Sequence, residues 1–397
     1  MVKKKIATIL VRSGIHRTEH NETSEALFLT SGYVYKNAQE AERAFRGDAK
    51  RYLYSRFGNP TVNSLQQKLA EIEEADSCLI TATGMSAVFT IFMSYLQNGD
   101  RVVAGKALFG SCHFILTKIL PKFGIDVQLV DGKSIEQWEV ALRKRTKIVF
   151  FESPSNPCLE IIDIRKVSKL AHSSGAIVVV DNVFATPLLQ KPLKLGADIV
   201  IYSATKHLDG QGRVLGGAIL GSKSFCETVL KPFIKNTGPS ISPFNAWILN
   251  KSLDTLELRI KKQCQNTKKI VEYLNKSKFV DAIYYPFHKK FLQLSLARKQ
   301  MRMGGTIVSF KLRAKKNQKK RTAFNFLNNL NLIDISNNLG DSKSLVTHPY
   351  TTTHSKLSGK EKIELGISQN LVRLSVGLEN AEDLIEDIET SFKKTYI

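Results

Sequence analysis

No run of about 18 apolar residues occurs in the 397-residue chain, so no transmembrane helix is expected. Cysteine is scarce. The five, Cys78, Cys112, Cys158, Cys226 and Cys264, are odd in number, and none lies within four residues of another. That excludes a disulfide framework and paired-cysteine metal knuckles. His207, His348 and His354 show no metal-ligand spacing among themselves either, and no metal is expected. Both the Gly-x-Gly-x-x-Gly turn after the first strand and the P-loop pattern are missing, which weakens nucleotide-binding readings. The N-terminus, Met1-Val-Lys-Lys-Lys-Ile-Ala-Thr-Ile-Leu, has only a stub of apolar residues before Arg12, which argues against a secretory signal. A reducing cytoplasm is the expected location.

Acidic residues are also few. The 36 Asp and Glu stand against 58 Lys and Arg, a formal net charge of +22. Such a balance invites a nucleic-acid reading. Yet the densest basic segment, Lys311 to Arg321, contains no aromatic residue. Single-strand readers interleave stacking rings with their cations. The segment therefore reads as a solvated loop or helix end, and nucleic acid is not expected as a partner. The overall charge would still attract small anions.

What is present is a core. Hydrophobic residues make up 43% of the chain, enough for two or three domains of ordinary size. Residues 1 to about 60 lack a sustained period and read as an extended arm. From Ser77 onward, apolar runs of four to six residues alternate with helical stretches. The clearest strands are Ala176-Ile-Val-Val-Val-Asp181 and Asp198-Ile-Val-Ile-Tyr202. This alternation predicts βαβ units and a mostly parallel sheet covered on both faces. After about Phe244, a long helical stretch to Lys276 leads to strand candidates at Thr306–Phe310 and Leu371–Ser375. That reads as a smaller α+β unit. The expected organisation is an arm over 1–60, a large domain over 61–250 and a small domain over 251–397.

Ligands of parallel sheets bind beyond the carboxyl ends of the strands. Three segments fall there. Asp181 ends a strand of pure Ala, Ile and Val. The next strand ends in Ser203-Ala-Thr205-Lys206, just before the glycine-rich turn Asp209–Gly217. Thr83-Gly84-Met85-Ser86 is a strand-to-helix turn whose amides and dipole suit a phosphate. Each alone has a plain alternative: a helix cap, a surface lysine, an ordinary turn. Together they supply an amine for a Schiff base, a carboxylate for a ring nitrogen, and hydroxyls and amides for a phosphate. Pyridoxal phosphate needs all three.

Six segments in order resemble the cystathionine γ-synthase-like family of pyridoxal-phosphate enzymes of cysteine and methionine metabolism. They are Tyr54–Thr61, Ala82–Met85, Glu152–Pro157, Val180–Pro187, Ser203–Lys206 and Arg373–Glu379. The resemblance covers nearly the whole chain. It implies the aspartate-aminotransferase-like α/β fold (fold type I) with a smaller C-terminal domain. Lys206 becomes the Schiff-base lysine and proton shuttle, and Asp181 the partner of the ring nitrogen. Gly84, Met85, Ser203 and Thr205 hold the phosphate, Asn156 lies near the ring hydroxyl, and Phe109 stacks on the ring. Arg373 grips the substrate α-carboxylate, with Asn338 beside it in place of a more usual Ser. Tyr54 and Arg56, on the arm, reach the phosphate of the neighbouring subunit. That implies a homodimer as the minimal active unit, within a homotetramer.

The family contains γ-replacement enzymes and lyases. Many members carry Tyr where Phe109 stands, a side chain credited with giving a proton to a sulfur leaving group. Phe keeps the stacking face but has no proton to give. A thiolate benefits from a general acid, whereas a carboxylate leaves without one. Phe109 therefore favours an activated homoserine ester. The segments Leu108–Cys112, Gly238–Trp247 and Ile335–Pro349 resemble most closely bacterial enzymes of this type. The expected reaction is replacement at the γ-carbon of O-succinyl-L-homoserine by sulfide, giving L-homocysteine and succinate in methionine biosynthesis. The alternative is a cystathionine or methionine lyase acting on a thioether. Methionine γ-lyases characteristically carry Cys two residues after that Tyr, where this chain has Ser111, with Cys112 one later. His207, His348 and His354 read as structural.

Overall fold

The computed structural model describes residues 4–49 and 51–397. Seven strands form the larger sheet: β1 (Ser77–Thr81), β2 (Arg101–Gly105), β3 (Asp126–Val130), β4 (Ile148–Glu152), β5 (Ile177–Asp181), β6 (Ile199–Ser203) and β7 (Gly217–Gly221). Their order is β1-β7-β6-β5-β4-β2-β3. β2 through β6 are mutually parallel, while β7 runs antiparallel between β6 and β1. The apolar runs are continuous because both faces of the sheet are covered. On one face Val102, Ala104, Ile148 and Phe150 pack against Ala87, Ile91 and Phe92 of the Gly84–Tyr95 helix. Their neighbours Val103, Val149 and Phe151 pack against Trp138, Ile164 and Val167 on the other. The period of two delivers alternate residues to opposite layers.

A second sheet holds β8 (Val280–Tyr284), β9 (Ile307–Leu312), β10 (Asp334–Ile335), β11 (Leu345–Thr347) and β12 (Leu371–Ser375), in the order β10-β11-β12-β9-β8. Val308, Phe310, Val372 and Leu374 turn inward onto Phe326, Leu384 and Phe392. Arg373 and its register partner Ser309 therefore face the other way, toward the large sheet. Ser309 Oγ donates to the Pro157 carbonyl at 2.6 Å, which seats this face on the loop after β4.

The first 60 residues are less extended than their composition predicts. Helices form at Ile6–Arg12 and Ala38–Arg46. The second is capped by Asn37, which accepts from the Glu40 amide, and closed by Gly47 in the left-handed conformation. The predicted helix after Phe244 is two helices, Pro243–Leu253 and Leu256–Lys276, separated at Asp254–Thr255. No helix among the described residues is long and apolar enough to cross a membrane.

Glu25, between the two N-terminal helices, is tied down by charge. Lys68 is fully buried, with Nζ 2.9 Å from Asp254 and 3.9 Å from Glu25. Lys251 pairs with the same Glu25. Removing Lys68 leaves a cavity at a fully buried position, takes one cation from the buried Glu25 and leaves Asp254 without this partner. Lys68→Ala is expected to lower stability by about 3 kcal/mol, read as a drop in the urea midpoint. A change below about 1 kcal/mol would show that the cluster is not holding this segment.

Candidate active site

The carboxyl edge of the larger sheet opens into a cavity of about 230 Å³. Lys206, Asp181, Phe109, Gly84, Met85, Ser203, Thr205, Asn156 and Arg373 all line it, with Glu152, Cys112, Asn337 and Thr353. A wider chamber of about 1400 Å³ adjoins it, sharing Phe109, Thr205, Lys206 and Asn337 and adding Asn338, His113, Lys118, Lys356 and Glu361. The polar groups arrive from strand ends and from the turns that follow them.

The floor is a close-packed crossing. Thr81, Gly217 and Ser203 are register partners across β1, β7 and β6. Thr83 caps the Gly84–Tyr95 helix in a reciprocal box with Ser86. The amides of Gly84 and Met85 are thereby left at the helix end without intrahelical partners. A Cβ on Gly84 would stand 2.6 Å from Ser203 Cβ and 2.9 Å from Ser203 Oγ. Only glycine lets the helix end approach this strand end so closely. Thr205 Oγ1 accepts from the Gly216 amide at 3.1 Å, so its hydroxyl also braces the glycine-rich turn.

Lys206 sits in a turn closed by Gly210 N–H donating to the Lys206 carbonyl at 2.8 Å. Its Nζ donates to Asn338 Oδ1 at 2.6 Å. Burial, helped by the Arg373 charge, brings the amine down to about 8. Asp181 accepts from the Val183 amide at 3.0 Å. Burial pushes its carboxyl up to about 6 despite that bond. Arg373 is 1% exposed. Its Nη1 donates to Asn156 Oδ1 at 3.0 Å, and Nη2 to the carbonyls of Asn337 at 2.9 Å and Asn338 at 3.2 Å. Its Nε is buried with no partner.

Two sequence-derived residues lie elsewhere. Tyr54 and Arg56 do not line this cavity. Arg56 donates to the Lys235 carbonyl and stacks over Phe57, with its guanidinium carbon 4.8 Å from the ring centre. Tyr54 is exposed. Asn338 meets Lys206 through its side chain and Arg373 through its carbonyl, a contact set that sequence reading did not anticipate. Glu152 was also missed as a site residue, although it ends an apolar strand just as Asp181 does. His207 and His354 are buried, and burial holds them down to about 3 and about 4, so both are neutral at ordinary pH.

The donor set fits pyridoxal 5′-phosphate. A glycine-walled cradle with free helix-end amides suits its phosphate, and a buried carboxyl suits a pyridinium. An amine lowered toward neutrality suits its aldehyde, and an orphaned guanidinium N–H is free for a carboxylate. The fold and this donor set together define a pyridoxal-phosphate-dependent enzyme of the aspartate-aminotransferase-like class. More narrowly, the chain belongs to the Cys/Met metabolism PLP-dependent enzyme family, whose model matches residues 7–393. It is 49% identical over 383 residues to an O-succinylhomoserine sulfhydrylase of Mycobacterium tuberculosis, covering 96% of this chain and 94% of that protein. It is 37% identical over 391 residues to an L-methionine gamma-lyase of Fusobacterium nucleatum subsp. polymorphum, covering 98% of each. A Campylobacter jejuni crystal structure that contains N′-pyridoxyl-lysine-5′-monophosphate superposes with a TM-score of 0.93. It shares 29% identity and covers 98% of this chain and 100% of that one.

Gly84→Ala must push the helix end away from β6. The expected result is cofactor binding weakened by about tenfold or more, measured by titrating cofactor-free protein with pyridoxal phosphate. Unchanged affinity would show that this cradle does not hold the phosphate.

Proposed function

We propose that this enzyme replaces the succinyl group of O-succinyl-L-homoserine with sulfide, giving L-homocysteine and succinate. The observation that carries this reading is the charge of the outer chamber. Lys118 and Lys356 line it. Among the described lining residues its one carboxylate is Glu361, which lies 3.7 Å from His113 and forms a capping box with Ser358. A leaving group that keeps a second carboxylate is drawn into such a chamber. Phe109 agrees with this: at the cavity mouth it offers a flat apolar face and no proton. The sulfhydrylase name of the 49% relative adds support.

Pyridoxal phosphate, when bound, supplies an aldehyde that captures an amine and a cationic ring that draws electron density from the captured substrate. The chain's residues do the rest. Lys206 Nζ holds the cofactor, then takes the proton from the substrate α-carbon and returns one at the end. Asp181 keeps its negative charge against the ring nitrogen. Gly84, Met85, Ser203 and Thr205 hold the phosphate. Arg373 binds the α-carboxylate through its free Nε–H, while Asn156 fixes the guanidinium plane. Asn338 positions the Lys206 amine. The γ-carbon–oxygen bond breaks with the electron pair leaving on succinate, and a bond from sulfide sulfur to the γ-carbon forms.

The active unit is proposed to be a homodimer, within a tetramer, in which Tyr54 and Arg56 complete the neighbour's phosphate site. Their placement outside their own cavity supports this. The lyase reading is favoured by the relative named a methionine gamma-lyase.

Lys206→Ala is expected to lower homocysteine formation by on the order of 10³-fold or more and to abolish the visible cofactor band. Wild-type protein should make homocysteine from O-succinyl-L-homoserine and sulfide. The neutral Lys206 amine grows as pH rises, so loading of cofactor-free protein should speed up through about pH 8. Full activity in Lys206→Ala would contradict the reading. So would efficient release of 2-oxo acid and ammonia from methionine or cystathionine with the succinyl ester unused.

A further inference from the structure

Glu152 takes no part in the chemistry above, yet it is the second carboxyl of the inner cavity. It ends β4 as Asp181 ends β5, and the two are register partners across parallel strands. Partners in register project to one face. Oxygens of both carboxyls and Cys112 Sγ all lie within 4.8 Å of one another. Glu152 is 5% exposed. One of its oxygens accepts the backbone N–H of Phe109. The other titratable groups facing this space are Cys112 on the helix after Phe109, Lys206 after β6 and Arg373 on β12.

Two carboxyls this close in a dry space do not both ionise. The environment decides which one keeps the proton. Burial, reinforced by the Asp181 charge, drives Glu152 well above the usual carboxyl range. Asp181, which the Val183 amide helps to hold down, rises only to about 6. The Cys112 thiol is also pushed up, by burial and then by both carboxyls, so it adds no anion at neutral pH.

We propose that Glu152 is the proton-bearing member of a two-carboxyl pair that holds a single negative charge, leaving the anion on Asp181. At the same time it seats Phe109 at the cavity mouth through the Phe109 N–H. Glu152 is thus a positioning residue that acts through Asp181 and through the aromatic wall. The inference rests on the proposed role of Asp181 opposite the ring nitrogen.

Glu152→Gln tests it, because an amide copies the size, the acceptor oxygen and the neutrality of the protonated acid. The expected result is pyridoxal-phosphate affinity within about threefold of wild type, and a pH midpoint of the bound cofactor's visible band within about 0.3 unit. Glu152→Ala, which removes the acceptor, should weaken binding by about tenfold and broaden the band's circular dichroism as Phe109 loosens. A midpoint shift of about one unit or more in Glu152→Gln would show that an anion had been lost and would overturn the proposal. Failure of Glu152→Gln to fold would overturn it as well, since a neutral acid and its amide are interchangeable here. Borohydride reduction and peptide mapping separate this inference from the reading it rests on. Loss of the Lys206 adduct in Glu152→Gln alone overturns the role of Glu152. Loss in wild type overturns the assignment of Lys206, and this inference with it.

Discussion

Four ionisable groups share one small cavity without a direct ion pair between them: the amine of Lys206, the guanidinium of Arg373 and the carboxyls of Asp181 and Glu152. Burying charge is costly unless each group finds partners. Here the partners are neutral dipoles. Asn338 receives Lys206, Asn156 and two backbone carbonyls receive Arg373, and the Val183 amide serves Asp181. The charges are therefore held in place but not cancelled by one another. That leaves them free to meet the charges of a cofactor and an amino-acid substrate, with little reorganisation needed when these arrive.

The fold provides this arrangement through its two sheets. Parallel strands place the ends of β4, β5 and β6 side by side, so that residues far apart in sequence emerge at one edge. The second sheet supplies the opposing wall. Alternation along β12 sends Val372 and Leu374 into their own core and Arg373 toward the large sheet. The basic surface seen in the composition reappears locally in the outer chamber, where Lys118 and Lys356 stand with the single carboxylate Glu361 among the described lining residues.

Much of this was legible in the sequence because strand ends are local signals. An apolar run closed by a polar residue marked Asp181, and a second run closed by hydroxyls and an amine marked Lys206. The same signal stood at Glu152, which entered only as the first residue of the Glu152–Pro157 segment and was given no role of its own. β7 was hidden for another reason. Gly217 and Gly221 flank only three apolar residues, and glycine is a poor strand former. It is used at Gly217 because the Thr83 carbonyl crowds the place a Cβ would take. The short helices in the first 60 residues lack the length for a visible period; Asn37 and Gly47 cap the second, and the first has no side-chain cap. The bond from Lys206 to Asn338 spans 132 positions, and no local pattern encodes it.

Asp181, as the single anion of a buried pair, is proposed to keep the cofactor's ring nitrogen protonated while Lys206 holds its aldehyde carbon. Nitrogen-15 NMR of the protein loaded with ring-labelled pyridoxal phosphate reads this directly. A pyridinium shift is expected to persist from about pH 6 to 9 in wild type and to move to the neutral pyridine position in Asp181→Asn. A neutral pyridine shift in the wild-type protein, or a pyridinium shift unaffected by Asp181→Asn, would contradict it.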